Sequence, residues 1–289
     1  MSASQLGFAG LGRMGAPLSR RLVEAGFAVT GFDVAGTAER LPAGATSAGS
    51  IAELARTADI LFLSVPDGAA SRAICEQIVA EGERRVGIIV DLSTIGIAAA
   101  RACAEVLATA GVAYVDAPVS GGVAGAESGS LSMMVGAPAA RFEELDPVLA
   151  VLAKNRFRIG DEPGQGQAMK LLNNYVSAAA LAATCEATVF GERLGLDLAK
   201  MVDVLNVSSG RSAASQDKFP RSVVPRSYDF GFAGALMTKD VSLYLENAEG
   251  AGTPHDLATS VAGLWQRFNA AHPAADFTYL HKYLEDGEV

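Results

Sequence analysis

Residues 6–18 read Leu6-Gly7-Phe8-Ala9-Gly10-Leu11-Gly12-Arg13-Met14-Gly15-Ala16-Pro17-Leu18. Leu6 to Ala9 is a short apolar run, and glycines follow at once at positions 10, 12 and 15. From Met14 onward the spacing turns helical, with Leu18, Leu22 and Ala25 on one face. The stretch therefore predicts a buried strand that turns tightly into a helix. In that setting Gly10-x-Gly12-x-x-Gly15 has a physical meaning. Gly10 permits the turn, Gly12 lets the backbone approach a pyrophosphate, and Gly15 lets the helix pack close to the strand. The amides and partial positive charge at the helix start then face the phosphates. Gly10, Leu11, Gly12, Arg13, Met14 and Gly15 are the expected cradle of a dinucleotide.

The same logic extends outward. Phe27 to Phe32 reads as a second strand that ends at Asp33. A carboxylate there accepts hydrogen bonds from both hydroxyls of an adenosine ribose and repels a 2′-phosphate. The next residue is Val34, so no guanidinium waits for that phosphate. NAD is expected in preference to NADP. Ile60 to Val65, Val86 to Val90 and Val112 to Val115 are further strands, closed by Pro66, Asp91 and Asp116, with helical stretches such as Ala98 to Thr109 between them. Short buried strands alternating with helices predict an α/β, doubly wound, parallel sheet of Rossmann type.

The second half changes character. Asp146-Pro147 reads as a helix N-cap followed by Pro at the first helical position, opening a helix from Val148 to Lys154. Phe157 to Ile159 reads as a last strand. After Gly164-Gln165-Gly166, residues Ala168 to Leu194 carry almost no breaker, which predicts a helix roughly 40 Å long that closes at Gly195. Leu198 to Asn206, Thr238 to Ala248 and Asp256 to Phe268 read as helices too. The expectation is a dinucleotide-binding domain over 1–163 and an all-α domain over 164–289, linked by the long helix.

Composition narrows the function classes. Of 289 residues 50% are hydrophobic and 19% charged, which is the profile of a folded chain. A net charge of -9 with no basic cluster argues against nucleic acid and anionic membrane as partners. Cys75, Cys103 and Cys185 are an odd, dispersed set, so neither a disulfide framework nor a zinc site is expected. His255, His272 and His281 form no metal-ligand pattern, and no metal is expected. The longest apolar segment, Tyr175 to Gly191, is interrupted by Glu186 and falls short of a ~20-residue span. Met1 to Gln5 lacks the basic start of a secretory leader, so a cytoplasmic location is expected. Met133-Met134 reads as core strand and Cys185 as a small core residue. Trp265, Phe277, Tyr279 and Tyr283 read as packing in the helical domain or a subunit interface.

Two more clusters carry chemistry. Ser64-Val65-Pro66, Ser93-Thr94 and Asp116-Ala117-Pro118-Val119-Ser120-Gly121-Gly122 all fall at strand ends. In a parallel sheet that is the carboxyl edge, where ligands bind. Ser120, Gly121 and Gly122 offer a hydroxyl and unhindered amides suited to a carboxylate. The other cluster is Gly164-x-Gly166-x-x-x-Lys170-x-x-Asn173-Asn174. Lys170 and Asn174, four apart, share a helix face. Lys170 reads two ways: as a surface lysine with a buried stem, or as an ammonium whose pKa falls beside a positively charged nicotinamide, making it a proton acceptor. Asn174 then suits a substrate oxygen. Arg211, in Ser209-Gly210-Arg211-Ser212, reads as a solvated loop residue or as the partner of a second acidic group on the substrate.

Four motifs in order resemble the β-hydroxyacid dehydrogenase family, which includes 3-hydroxyisobutyrate dehydrogenase and tartronate semialdehyde reductase and is related to 6-phosphogluconate dehydrogenase. They run from Gly7 to Leu18, Asp116 to Ala126, Gly164 to Asn174 and Lys239 to Leu243. The resemblance implies an active site in a cleft between the two domains, with Lys170 as acid/base. It implies that Ser120, Gly121, Gly122 and Asn174 hold the substrate and that Thr94 and Lys239 join Val65 and Pro66 around the cofactor. Asp240 follows as a supporting acid, and Phe230 and Phe232 exclude water. The implied reaction is reversible hydride transfer between a short 3-hydroxy acid and its 3-oxo acid or semialdehyde, by a homodimer or homotetramer. An imine reductase on the same fold is the competing enzyme, and Lys170 and Asp33 both count against it. A pseudoenzyme would lose the lysine and gain basic segments, and this chain does neither. No basic cluster awaits a sugar phosphate.

Overall fold

β1 (Leu6–Ala9) is buried at every residue, as a central parallel strand covered on both faces must be. The computed structural model describes residues 4–287. From β1 the chain passes through α1 (Gly15–Glu24), β2 (Val29–Phe32), β3 (Thr46–Ser47), α2 (Ile51–Thr57), β4 (Ile60–Leu63), α3 (Gly68–Ala80), β5 (Ile88–Asp91), α4 (Ile97–Ala108) and β6 (Ala113–Asp116). It continues through β7 (Val119–Ser120), α5 (Gly122–Ser128), β8 (Ser132–Gly136), α6 (Ala139–Leu152) and β9 (Asn155–Gly160). The sheet runs β3-β2-β1-β4-β5-β6-β8-β7, with β9 pairing β8. Strands β1 to β6 pair in parallel, in the expected doubly wound arrangement.

Three details differ from the sequence reading. The sheet is not wholly parallel: β8 runs antiparallel to β6 and β7. The two-residue strands β3 and β7 are too short to leave a periodic signal. Asp146-Pro147 does not open a helix, because Pro147 lies inside α6, which starts after Pro138. An interior Pro forfeits a hydrogen bond and costs about 3 kcal/mol. Leu145, Val148, Leu149 and Leu152 are all buried on either side of it, and this continuous apolar stripe offsets the cost. Met133 and Met134 are buried in β8 as expected.

Two compact units divide the chain, the first ending at Lys170 and the second beginning at Leu171. α7 (Gln165–Arg193) is the long unbroken helix. The second unit adds α8 (Leu198–Asn206), a π-helical segment (Ala214–Val223), α9 (Gly234–Gly250), α10 (Asp256–Ala271), a 3-10 turn (Phe277–Tyr279) and α11 (Leu280–Asp286). Its core gathers Leu181, Cys185, Phe219, Val241, Trp265, Phe268, Phe277 and Tyr283. The π-helical segment and α11 were not read from the sequence. No helix among the described residues is long and apolar enough to cross a membrane.

Candidate active site

The glycine-rich turn has the geometry that its spacing predicts. Gly10 has φ +90°, and a Cβ there would come within 2.2 Å of the Ser64 carbonyl oxygen. A Cβ on Gly15 would meet the Gly10 carbonyl oxygen at 1.9 Å. Gly12 has nothing within 4 Å of where its Cβ would stand. The first and third glycines thus close the fold, while the second faces open space. α1 begins with no side-chain cap and no acid in its first turn, so its start fits an anion such as a pyrophosphate. Leu11 and Gly15 are buried, while Arg13 is exposed.

Asp33 closes β2 as expected. One carboxylate oxygen accepts the Leu11 N–H at 2.7 Å and the other the Ala35 N–H at 2.8 Å. The carboxylate therefore ties the glycine-rich turn to the end of β2 and keeps lone pairs for ribose hydroxyls. Val34 beside it is 93% exposed.

The ends of β4, β5 and β6 are wired together. The Val65 N–H donates to the Ser93 hydroxyl at 2.9 Å. The Ser93 N–H donates to Asp91, whose other oxygen accepts from Ser71 at 2.7 Å and from the Tyr114 hydroxyl at 3.3 Å. Asp91 is fully enclosed, and burial pushes its carboxyl above the usual range. Asp116 accepts from the Gly164 and Gln167 amides at 2.9 and 2.8 Å. Gln167 bonds back to Ser93, Ile95 and Gly96, bracketing Thr94. Ser120 is half-buried at the end of β7, and the exposed Gly121 and Gly122 start α5. Gly121 and Gly122 have φ +130° and +64°. Lys170, in the second turn of α7, is 7% exposed. The surface-lysine reading is thereby set aside.

In the second unit Asn174 is buried, and its amide nitrogen donates to Asp240 on α9 at 2.6 Å. The other Asp240 oxygen lies 3.4 Å from the Lys239 ammonium. Asp240 therefore orients both residues expected to meet ligand. Phe230 and Phe232 pack on Phe277 with centroids 5.4 and 5.5 Å apart. Arg211 is exposed. The sequence reading missed Asp91, Gln167 and a buried cation, Lys218, which stands 5.9 Å from the Phe277 centroid. Burial pushes the Lys218 pKa down. Strand-end acids and a polar residue inside an otherwise small, apolar helix start were the available signals for the first two.

A doubly wound sheet with a glycine-rich turn after β1, an acid at the end of β2 and a buried lysine on α7 fit a nicotinamide dinucleotide oxidoreductase. Residues 5–160 match the family described as the NAD binding domain of 6-phosphogluconate dehydrogenase. Residues 164–284 match the NAD-binding family of NADP-dependent 3-hydroxyisobutyrate dehydrogenase. A 2-(hydroxymethyl)glutarate dehydrogenase of Eubacterium barkeri is 36% identical, over 86% of this chain and 84% of its own. A 3-hydroxyisobutyrate dehydrogenase of Pseudomonas aeruginosa is 35% identical, over 96% and 98%. The solved Mycobacterium tuberculosis 3-hydroxyisobutyrate dehydrogenase with L-serine superposes with a TM-score of 0.88 at 32% identity, covering 97% of this chain and 99% of that one. The chain belongs to the β-hydroxyacid dehydrogenase family and is an NAD(P)-dependent hydroxy acid oxidoreductase.

Proposed function

We propose that the protein oxidises a short 3-hydroxy acid to its 3-oxo acid or semialdehyde, reversibly, with NAD preferred over NADP and Lys170 as acid/base. The observation that carries this reading is Lys170 itself. It is a 7%-exposed lysine, three residues beyond a Gln167 bonded to the ends of the cofactor-edge strands. Residues 1–163 bind the dinucleotide and residues 164–289 complete the substrate side. The nicotinamide supplies the hydride acceptor when bound. Lys170 takes the proton from the 3-hydroxyl on oxidation and returns it on reduction. The Ser120 hydroxyl and the amides of Gly121 and Gly122 hold the substrate carboxylate, and Asn174, oriented by Asp240, holds a substrate oxygen. This positioning is a major part of the rate. Gly10, Leu11, Gly12, Arg13, Met14 and Gly15 cradle the pyrophosphate, and Asp33 takes the ribose. Val65, Pro66, Thr94 and Lys239 line the cofactor. Asp33 with Val34 beside it supports NAD. The enzyme works in the cytoplasm as a homodimer or homotetramer.

The test follows NADH absorbance with purified protein, NAD or NADP, and a panel including 3-hydroxyisobutyrate, 2-(hydroxymethyl)glutarate, L-serine, glycerate and threonate. The expected result is turnover of at least one acid, faster with NAD, and its loss in Lys170→Ala with NADH binding kept. Turnover retained by Lys170→Ala would sink the assignment.

A further inference from the structure

We propose that Asp116 and Gln167 are positioning residues for proton transfer, locking the first turn of α7 to the ends of β5 and β6 so that Lys170 is held in register with the cofactor edge. The proposal rests on the reading of Lys170 as the acid/base.

A helix leaves its first amides without intrahelical partners. α7 has no acid in its own first turn, and its cap comes from another element. Asp116 is the last residue of β6 and has no exposed surface. Its Oδ1 accepts the Gly164 N–H at 2.9 Å and its Oδ2 the Gln167 N–H at 2.8 Å. Two glycines press on the same carboxylate. A Cβ at Gly136 would stand 2.5 Å from Oδ1. One at Gly166 would stand 2.8 Å from Oδ2 and 2.4 Å from the Met134 carbonyl oxygen. The start of α7 cannot slide without opening these contacts.

Gln167 is the second tie. Its Oε1 accepts the Ile95 and Gly96 amides at 2.9 and 3.2 Å, and its Nε2 donates to the Ser93 carbonyl at 2.9 Å. One fully buried side chain thus holds three backbone groups on both sides of Thr94. Ser93 in turn holds Val65. Lys170 follows Gln167 by three residues, one turn along the same helix.

The arrangement is expensive for a merely structural joint. An ordinary N-cap would need only a Ser or Asp at the helix start. Here a carboxylate is buried instead, and desolvation pushes its pKa up to about 6 against the pull of the two amides. Buried polar groups carry that cost wherever they stand. Proton transfer is where it is recovered, because a misplacement of about 1 Å can cost on the order of 100-fold in rate.

The test compares Gln167→Met, which removes all three side-chain bonds at similar length, with Gln167→Glu, in the holoenzyme and with the fastest acid of the panel. Gln167→Met should lower kcat by about 100-fold, a larger change than in KM or in the NADH dissociation constant. In Gln167→Glu the introduced carboxyl keeps both acceptor bonds, and only its protonated form can donate to Ser93. The Asp91 and Asp116 carboxylates, the Tyr114 hydroxyl and, one turn along α7, the Lys170 ammonium are the titratable groups around this edge; the two acids and burial favour that protonated form, and Lys170 opposes it. Its kcat should therefore rise towards the wild-type value as pH falls, a limb absent from the parent profile. A folded Gln167→Met with wild-type kcat, or a loss confined to KM or cofactor affinity, would overturn the proposal. So would a Gln167→Glu profile that parallels the parent, which decides the matter should Gln167→Met fail to fold. If Lys170→Ala remains active, the underlying reading falls and this proposal with it. If Lys170→Ala is dead while both Gln167 variants behave as wild type, only the positioning role falls.

Discussion

Gly12 and Gly15 belong to one motif but answer to different forces, and single methyl groups separate them. A Cβ on Gly12 meets nothing, whereas one on Gly15 meets a carbonyl oxygen at 1.9 Å. Gly12→Ala should leave the melting temperature within a degree or two, because its methyl meets nothing, and should weaken NADH binding if Gly12 borders the pyrophosphate as proposed. Gly15→Ala should lower the melting temperature by several degrees, as overpacking of about 1–3 kcal/mol does. Thermal unfolding beside an NADH titration checks both. Asp33→Asn should lower kcat/KM for NAD about tenfold, the worth of one charge-assisted hydrogen bond, and raise the NADP-to-NAD ratio. An unchanged ratio would show that Asp33 serves only its hydrogen bonds to Leu11 and Ala35. At this scale much was legible: the glycines, Asp33, Lys170 and Asn174 all stand in recognisable local patterns. Gln167 was not, because its partners lie more than 70 residues away. Nor was the Asp240 clamp on Asn174, which joins residues 66 apart.

Among the elements, α7 and α11 meet in a charged joint that no periodicity shows. His281 is fully buried, edge-on to Phe219, with Nε2 3.2 Å from a Glu192 oxygen. Arg226 pairs with Glu192 and Glu285 at 2.8 and 2.6 Å, and Lys282 lies beside Glu285. Burial, and after it Arg226, push the His281 pKa down to about 4. The unfolded chain takes up this proton near pH 6.5, so between pH 6.5 and 4 it binds more protons than the folded one. His281 therefore contributes stability that is present above pH 6.5 and lost as pH falls towards 4. Asp116 has the opposite sign, since its folded pKa of about 6 exceeds its unfolded value. The test is the stability difference between wild type and His281→Gln across that window. It should shrink as the solution is acidified, and a constant difference would refute the linkage. The α6 boundary teaches a related lesson. Asp146-Pro147 has the local chemistry of a helix start, but the buried stripe from Leu145 to Leu152 outweighed it.

For the molecule as a whole, the exposed apolar side chains near the end of α7 and along α8 are the surface on which the proposed self-association can be tested. Phe190, Leu194, Leu196, Val204 and Val207 are 67, 65, 54, 55 and 87% exposed, at the end of α7 and along α8. Patches of this kind usually mark association surfaces. Sedimentation velocity should show a dimer or larger species, and Phe190→Glu with Val204→Glu should dissociate it. A monomeric wild type would dispose of this reading. The doubly wound unit, the glycine-rich turn, the all-helical second half and the candidate lysine were legible in the sequence alone. Those features rest on period, turn residues and short motifs, and all of these act over a few residues of chain. Only the tertiary structure decided that Lys170 is buried, that Asp116 caps α7 and that Gln167 reaches the Thr94 loop. Those outcomes depend on hydrogen bonds and steric contacts between groups distant in sequence, and no local propensity encodes them.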